Sequence, residues 1–85
     1  LRAAIEVVPE VAELELVESA ARLRPATPDN GPLLGPGSIG GLIHATGHHR
    51  SGVLLAPITI ATVLAVLARC PVPDVAVPFD PKRYL

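Results

Sequence analysis

The chain has 85 residues, a formal net charge of −1 and an aromatic content of 2%. That length allows at most one small domain, and the near-zero charge excludes a bulk field that would recruit nucleic acid or an anionic membrane surface. Hydrophobic residues make up 49% of the chain, with no Met or Trp, which suits a piece of a larger core better than a complete small one. Because the first residue is Leu1, we expect an internal or C-terminal fragment of a longer protein.

The N-terminal third is predicted to contain a short helix followed by a strand. Residues 1–8 carry their apolar side chains on one helical face, and Pro9 ends that helix or starts the next turn. Apolar and charged residues then alternate over Leu14–Arg24, which predicts a strand with one side facing solvent.

The middle of the chain alternates turns with short apolar segments. Prolines and an Asp-Asn-Gly sequence within residues 25–32 predict a tight turn with left-handed backbone, and "PGSIGG" at 36–41 predicts another. The intervening "LLG" is interpreted as a brief apolar contact. The run Gly41–Thr46, bounded by glycines, predicts a short buried strand.

A long apolar segment dominates the second half. No charged residue occurs between Arg50 and Arg69, and we predict a helix over Gly52–Ala68 with Pro57 near its first turn. The uncharged window approaches the ~18 residues of a minimal membrane span, but it contains Gly, Pro and Thr and lacks interfacial Trp or Tyr. We therefore expect a helix buried between a sheet and other helices. The proline-rich tail, 71–85, should not be regular for long.

The strand, the glycine turn and the helix together form the candidate site. A strand that runs into a helix through a tight glycine turn aims the unpaired N–H groups of the helix beyond the end of the strand, where open α/β sheets bind ligands. The apolar first turn, "GVLLAP", has no side chain that caps these donors. Water, a ligand carbonyl or an anion is expected to satisfy them.

Metal and nucleophile chemistry find little support in the sequence. His44, His48 and His49 have no nearby Cys or carboxylate to complete a tetrahedral set, so no metal is predicted and ordinary strand and turn positions are expected. The serines show no arrangement with a base, and no catalytic residue is assigned. The glycines lack dinucleotide-binding spacing. Cys70 is expected to be a half-buried thiol rather than a nucleophile, and a single cysteine fits a reducing compartment, the cytoplasm.

Two arginines are better candidates for binding. Arg24 precedes Pro25, and Arg50 lies two residues before Gly52. Arginine presents a planar, permanently charged fork that grips a carboxylate through two hydrogen bonds. The spacing alone leaves open that both are ordinary surface residues.

Two linked motifs carry a resemblance to a known family. The stretches "LRPATPDNGPLLGP" (23–36) and "GLIHATGHHRSGVLLAP" (41–57) resemble the C-terminal segment of the FAD-dependent glycine oxidases of thiamine biosynthesis, within the D-amino-acid oxidase superfamily. The tail "PFDPKRYL" weakly resembles the closing motif of that family. Three positions depart from the usual pattern: Arg22 stands where Gly is common, His49 replaces an aromatic residue and Ser51 replaces Asn.

The resemblance implies an α/β fold that forms the C-terminal fragment of a two-domain FAD-binding oxidoreductase, with Gly41–Thr46 as a parallel strand. It implies that residues 1–22 end the substrate-binding domain, 23–70 close the FAD-binding domain and 71–85 form a C-terminal tail. FAD is the implied cofactor, and a small amino acid such as glycine is the implied substrate. No nucleic-acid or membrane partner is implied, and a homo-oligomer of the whole protein is compatible with the resemblance.

The same resemblance assigns roles to individual residues. Arg24 matches the arginine that pairs with the substrate carboxylate, and Arg50 matches one beside the flavin and the active site. Cofactor contacts are expected from Gly47, His48, Arg50, Ser51, Gly52, Val53, Leu54 and Leu55. The 85-residue chain alone is expected to be inactive. Three alternatives stay open: a sarcosine or D-amino-acid oxidase, a truncated product without activity, and a small membrane or interaction peptide built on the apolar helix.

Overall fold

A computed structural model describes residues 1–84 and shows a mixed architecture of helices and strands. The elements in this range follow the order α1 (Arg2–Val7), a 3-10 helix (Pro9–Glu13), β1 (Leu33–Pro36), β2 (Ile43–Thr46), α2 (Ala56–Leu67) and two further 3-10 helices (Asp74–Phe79 and Pro81–Tyr84). The chain extends over 52 × 22 × 22 Å. The combination of helix and strand agrees with the expected class.

The N-terminal helix forms where the sequence predicts it. α1 ends at Val7, and Pro9 then begins a 3-10 helix because proline has no N–H with which to continue the α-helical ladder. Within residues 1–13 only Val11 is half-buried, and every other residue is exposed. This part of the chain therefore has little cover among the described residues.

The strand predicted over Leu14–Arg24 is wrong. These residues contain neither helix nor strand, and their apolar side chains are exposed, with Val17 91% exposed. Alternation tells which side chains share a face once a strand exists, but a strand also needs a neighbour for its backbone N–H and C=O groups. The two-stranded sheet of the described residues does not include this segment, so it has no strand neighbour there.

β1 and β2 form an antiparallel hairpin in which Leu34 lies opposite Ala45 and Gly35 opposite His44. Its loop is closed by the Gly37 N–H, which donates to the Leu42 carbonyl at 2.9 Å. The turn predicted at 36–41 is confirmed. The "LLG" segment is more than a brief contact, because it makes up most of β1 and places Leu34, 3% exposed, in the core.

The strand expected over Gly41–Thr46 is present from Ile43 onward, but within the described residues it is neither fully buried nor paired in parallel. β2 begins at Ile43, because Gly41 has φ 84 and belongs to the hairpin loop. Its partner in the described residues, β1, is antiparallel, and its own side chains range from half-buried to exposed. Within the described residues, this two-stranded sheet has no further strand on either side.

α2 begins at Ala56 rather than at the predicted Gly52. Residues 52–55 form a turn instead, in which the Leu55 N–H donates to the Ser51 carbonyl at 2.8 Å. The physical reason is Pro57. In a helix that began at Gly52, the proline ring would lie past the first turn, where it removes a hydrogen bond and clashes with the carbonyl four residues earlier. In the observed helix Pro57 lies in the first turn, where no intrahelical N–H bond is made.

The core lies where β1, α2 and the tail meet. Leu34 and Ala76 are its fully buried hydrophobic residues in the described range, and Thr62 of α2 is 1% exposed. The Thr62 hydroxyl donates to the Ile58 carbonyl at 2.8 Å, which satisfies it within the helix. Large apolar side chains on other faces of α2, such as Leu64 at 59%, remain exposed. The helix is therefore not buried on all sides as expected.

The tail behaves as its prolines predict, since it forms only two short 3-10 helices, Asp74–Phe79 and Pro81–Tyr84. It packs against β1 and, with α2, encloses an apolar cavity of ≈ 250 Å³ lined by Pro32, Leu34, Leu55, Ile58, Val75 and Phe79. Among residues 1–84, no helix combines the length and the apolar character needed to cross a membrane.

Candidate functional site

The turn at 27–31 is built by Asp29 and Thr27. Asp29 Oδ1 accepts from the Gly31 N–H at 2.9 Å, and Thr27 Oγ1 lies 2.6 Å from the Gly31 carbonyl oxygen. Asn30 has φ 58, the left-handed conformation predicted for this turn. A side chain that accepts from the backbone two residues later stabilises a tight turn without help from a sheet.

Arg83 closes this turn from the tail, a contact that the sequence analysis missed. Its Nε donates to Asp29 Oδ2 at 3.0 Å and its Nη2 to Asp29 Oδ1 at 3.2 Å, so the pair is bidentate. Nη2 also donates to the Gly31 carbonyl at 2.9 Å. The guanidinium carbon lies 4.6 Å from the centre of the Tyr84 ring. The only signals in the sequence were a turn carboxylate with spare lone pairs and an arginine in the weakly recognised closing motif.

The ion pair shifts the titration of both partners. Hydrogen bonds from the Arg83 guanidinium, from Tyr84 and from the Gly31 N–H hold the pKa of Asp29 far below its usual range. The Asp29 carboxylate in turn raises the pKa of Arg83. Asp29 is therefore a permanent anion near neutral pH, and it braces the turn through Arg83 rather than through Arg24, whose side chain is directed elsewhere.

The Arg24 side chain contacts the second of the two motifs, residues 41–57. Its Nη1 donates to the His49 carbonyl at 3.3 Å, and the His49 N–H donates to the Pro25 carbonyl at 3.1 Å. The two predicted motifs are thus in direct contact through residues 24–25 and 49. Arg24 is exposed, and a guanidinium has five N–H donors, so the contact with His49 leaves most of the fork available.

The glycine turn needs Gly47 for two reasons. Its φ is 79, and a Cβ atom built on it would lie 2.9 Å from Thr27 Cγ2. A side chain at this position would be strained and would push against the 27–31 turn. Gly47 is buried, so the packing of the chain itself requires glycine at this position.

His48 ties this turn to α2. Its Nε2 lies 2.8 Å from Thr59 Oγ1, and the Thr59 hydroxyl gives its one proton to the Leu55 carbonyl, also at 2.8 Å. Since that proton is used, His48 Nε2 must carry the hydrogen of the histidine–threonine contact. His48 therefore has a structural partner in this chain, and a role at a ligand would have to be exerted through its backbone or its Nδ1.

Arg50 and Ser51 lie on the outer side of the same turn. Arg50 is exposed and Ser51 half-buried, and the Ser51 N–H donates to the His48 carbonyl at 2.9 Å. The Arg83–Asp29 contact is the one ion pair formed within residues 1–84, so neither Arg50 nor Arg24 has a carboxylate partner there.

Three consecutive exposed amides follow Arg50 and Ser51. Val53 and Leu54 are 94% and 80% exposed, and Gly52 is exposed as well. Their N–H groups make no backbone hydrogen bond within residues 1–84, whereas the Leu55 N–H is bonded to Ser51. The N–H groups of Gly52, Val53 and Leu54 are therefore unpaired in this range, whereas the N–H of Leu55, which was also expected to contact the cofactor, is already used.

Gly52 differs from Gly47 in having open space around it. A Cβ atom at Gly52 would meet only His48 Cβ, at 3.9 Å, which is ordinary van der Waals contact. The packing of the chain itself therefore does not require glycine at position 52. The missing side chain leaves the exposed amides accessible to a planar group from outside.

The histidines do not form a metal site. Within the described residues, 1–84, no group of three or more His, Cys, Asp or Glu side chains lies close enough to hold a metal ion. His44 lies beside the hairpin loop, where its Nε2 would be 2.8 Å from a Cβ atom at Gly37, and His48 is bonded to Thr59. Cys70 is an exposed free thiol, not the half-buried one expected.

Comparison with known proteins identifies the family to which this sequence is similar. Residues 1–67 match the family DAO, described as FAD dependent oxidoreductase. The chain is 38% identical to the bifunctional protein ThiO/ThiG of Synechocystis sp. over 82 residues, which cover 96% of this chain and 12% of that protein. It is 39% identical to a glycine oxidase of Pseudomonas aeruginosa over 84 residues, 96% of this chain and 23% of that protein.

A third relative has a different name. The hydrogen cyanide synthase subunit HcnC of Pseudomonas protegens is 37% identical over 86 residues, which cover 100% of this chain and 19% of that protein. The chain thus spans between 12% and 23% of the length of these three relatives. No solved structure matches it. Because the family match takes in residues 1–67 of 85, this chain belongs to the DAO family of FAD-dependent oxidoreductases.

Proposed function

We propose that the chain is the C-terminal section of an FAD-dependent amino-acid oxidase that acts on glycine. The overall reaction converts glycine, water and O2 into glyoxylate, ammonia and hydrogen peroxide. The observation that carries the proposal is the contact between Arg24 Nη1 and the His49 carbonyl, which brings an arginine fork to the turn that leads through Arg50 to the unpaired amides of 52–54. The relatives named ThiO/ThiG and glycine oxidase support glycine as the substrate.

Arg24 is proposed to bind the substrate carboxylate. One donor is used at 3.3 Å on a neutral carbonyl, and no carboxylate of residues 1–84 competes for the others. A planar guanidinium that grips both carboxylate oxygens restricts the rotation of a small amino acid and so orients its Cα–H bond. Arg50, exposed on the neighbouring turn, adds a second positive charge to the same region.

The exposed amides of Gly52, Val53 and Leu54 fit one end of the cofactor. The pyrimidine ring of a flavin has carbonyl oxygens that accept hydrogen bonds, and it becomes negatively charged near N1 and C2=O on reduction. Three unpaired N–H donors, with no side chain at position 52, match a flat acceptor edge of this kind. Gly47, His48 and Ser51 are proposed to support the turn that presents these donors.

The residues of this chain bind and orient, and none is proposed as a general base or nucleophile. FAD, when bound, accepts the two electrons released from the substrate and passes them to O2. Loss of hydride from Cα and of a proton from the amine leaves an imine, which water converts into glyoxylate and ammonia. Arg24 keeps the carboxylate in place during this change, so its contribution should appear mainly in substrate binding.

The division of the chain is also part of the proposal. Residues 1–22 would end the substrate-binding domain, 23–70 would close the FAD-binding domain and 71–85 would form the tail. The exposed apolar faces of α1 and of the 14–24 segment suit residues that another part of a larger protein covers. A cytoplasmic location and a homo-oligomeric whole protein complete this proposal.

The test uses the whole protein purified with its cofactor. We expect a flavin absorbance spectrum, one FAD per chain and hydrogen peroxide production with glycine that exceeds production with sarcosine or D-alanine. A higher kcat/KM for D-alanine would move the assignment to a D-amino-acid oxidase. Bound flavin with no oxidation of any amino acid would refute the amino-acid oxidase proposal.

A second candidate follows from HcnC, which matches the whole of this chain at 37% identity. In that case the protein would be a subunit of a hydrogen cyanide synthase. The two functions can be distinguished by the products formed from glycine, because a glycine oxidase releases hydrogen peroxide and glyoxylate. Cyanide formed from glycine would favour the second candidate.

A further inference from the structure

Arg83 of the tail connects to the proposed substrate site through a continuous series of contacts. Its side chain is 17% exposed, much less than that of its partner Asp29 at 49%. Besides Asp29 it contacts the Gly31 carbonyl at 2.9 Å and, through Nη1, the Asp80 carbonyl at 3.3 Å. The guanidinium therefore joins the C-terminal 3-10 helix to both ends of the 29–31 turn.

The 27–31 turn lies against the glycine turn at 47–49, so anchoring the first turn also restricts the second. Thr27 Oγ1 lies 2.6 Å from the Gly31 carbonyl and 2.9 Å from Asp29 Oδ1, while the methyl group of Thr27 fills the space beside Gly47. Because a Cβ atom at Gly47 would lie 2.9 Å from Thr27 Cγ2, the Thr27 methyl group leaves no room for a side chain on the glycine turn. Movement of the 27–31 turn would therefore displace the glycine turn or leave a gap beside it.

The last contacts reach Arg24 itself. Pro25 accepts from the His49 N–H at 3.1 Å, and Arg24 donates to the His49 carbonyl at 3.3 Å. His49 has a left-handed backbone, with φ 49. Both its N–H and its carbonyl are bonded to the segment that leads into the 27–31 turn. The position of the Arg24 guanidinium thus depends on how residues 25–31 are anchored.

We infer that Arg83 is a positioning residue: by holding Asp29 and Gly31 it sets the position of Arg24 relative to the 47–50 turn. Because Arg24 serves as the substrate anchor only under the proposed function, the catalytic consequence rests on that function. The positional link between Arg83 and His49 does not. Arg83 itself touches neither substrate nor cofactor in this inference.

A purely structural brace would behave differently. In that case loss of Arg83 would lower the melting temperature of the protein while the 47–50 turn and the KM for glycine stayed as they were. A positioning residue should loosen the His49 contacts selectively and should raise KM more than it lowers kcat, because misplacement of a binding group by about 1 Å costs up to ~100-fold.

The experiment compares Arg83→Ala and Arg83→Lys with Lys82→Ala in the whole protein. Lys82 is the exposed neighbour of Arg83 in the same 3-10 helix, which makes it a matched control. Deuterium uptake by peptides covering residues 47–51 and the KM and kcat for glycine are measured at a temperature where all variants are folded. We expect Arg83→Ala to speed exchange and to raise KM by about tenfold, with partial recovery in Arg83→Lys because a point charge does not reproduce the fork.

Two results would overturn the inference: exchange over 47–51 equal to that of the Lys82→Ala control, or faster exchange with an unchanged KM for glycine. If Arg83→Ala does not fold, Asp29→Asn removes the charge of the partner while keeping an oxygen for the Gly31 N–H, and the same two readouts apply. If the wild-type protein oxidises no amino acid, the proposed function fails, and the exchange rates alone then decide whether Arg83 positions the turn.

Discussion

The substitution Arg24→Ala in the whole protein gives the sharpest test of the substrate site. Arg24 donates one hydrogen bond at 3.3 Å to the His49 carbonyl and has no ion-pair partner in the described residues. The donor is charged, but the hydrogen bond is long and solvent-exposed, so its loss should change stability by only about 1 kcal/mol. The structural cost should therefore be small, and the effect on substrate binding should dominate.

The expected effect on binding follows from the charge of the fork. Removing one partner of a desolvated charge pair costs about 2–5 kcal/mol. Arg24 is exposed within this chain, so solvent screening favours the lower end of that range. At about 1.4 kcal/mol for each factor of ten, a loss near 2 kcal/mol predicts that KM for glycine rises by about 30-fold.

The assay measures KM, kcat and bound FAD on the same preparations of Arg24→Ala, Arg24→Lys and Arg22→Ala. Arg22 is an exposed arginine two residues away and controls for the general loss of positive charge. FAD content should stay near one per chain in all three, Arg24→Lys should recover part of the affinity, and Arg22→Ala should behave as wild type. An unchanged KM in Arg24→Ala, with or without a loss of flavin, would refute the proposal that Arg24 binds the substrate carboxylate.

The remaining predictions concern the chain and its turns. The isolated 85-residue chain should retain no FAD after desalting, since its proposed contacts reach only one end of the cofactor; yellow protein after desalting would contradict this. The isolated chain should also associate, because many large apolar side chains are exposed, and a monodisperse monomer in ultracentrifugation would argue against it. Gly52→Ala should leave the melting temperature almost unchanged but lower the FAD content, because position 52 has open space around it. Gly47→Ala should lower the melting temperature, because a side chain there would push against Thr27. An equal change in melting temperature in the two variants would contradict this. Because its pKa is lowered on folding, Asp29 should contribute stability that is fully present above about pH 4 and is lost as pH falls below that. In Asp29→Asn, the melting temperature should therefore depend less on pH below about pH 4 than it does in the wild type.

Local features of the fold were largely predictable from the sequence. The helix at the N-terminus, the left-handed turn at Asn30, the loop at 36–41 and the irregular tail each follow from proline, glycine or helical spacing within a few residues. The start of α2 at Ala56 is also encoded locally, because a helix that began at Gly52 would place Pro57 past its first turn. The strand over 14–24 failed for another reason, because pairing depends on a neighbour that no local pattern reveals.

The candidate site was predictable only in part, and for the same reason. Resemblance identified both motifs, and the structure brings them together through Arg24 and His49. The contact between Arg83 and Asp29 joins residues 54 positions apart, and no periodicity or spacing encodes a pair that distant. The occupied N–H of Leu55 was hidden as well, because it depends on the turn that precedes the helix.

The distance in sequence between Asp29 and Arg83 also has a consequence for the order in which the protein folds. Closing a loop of 54 residues costs about 3.5 kcal/mol of chain entropy plus a constant, whereas an ion pair near the surface returns about 0–1 kcal/mol. The pair is therefore too weak to draw the tail in from an open chain. It should form late, after β1, β2 and α2 have packed and the tail has docked on β1. In refolding experiments, Arg83→Ala should then speed unfolding while leaving the rate of folding almost unchanged.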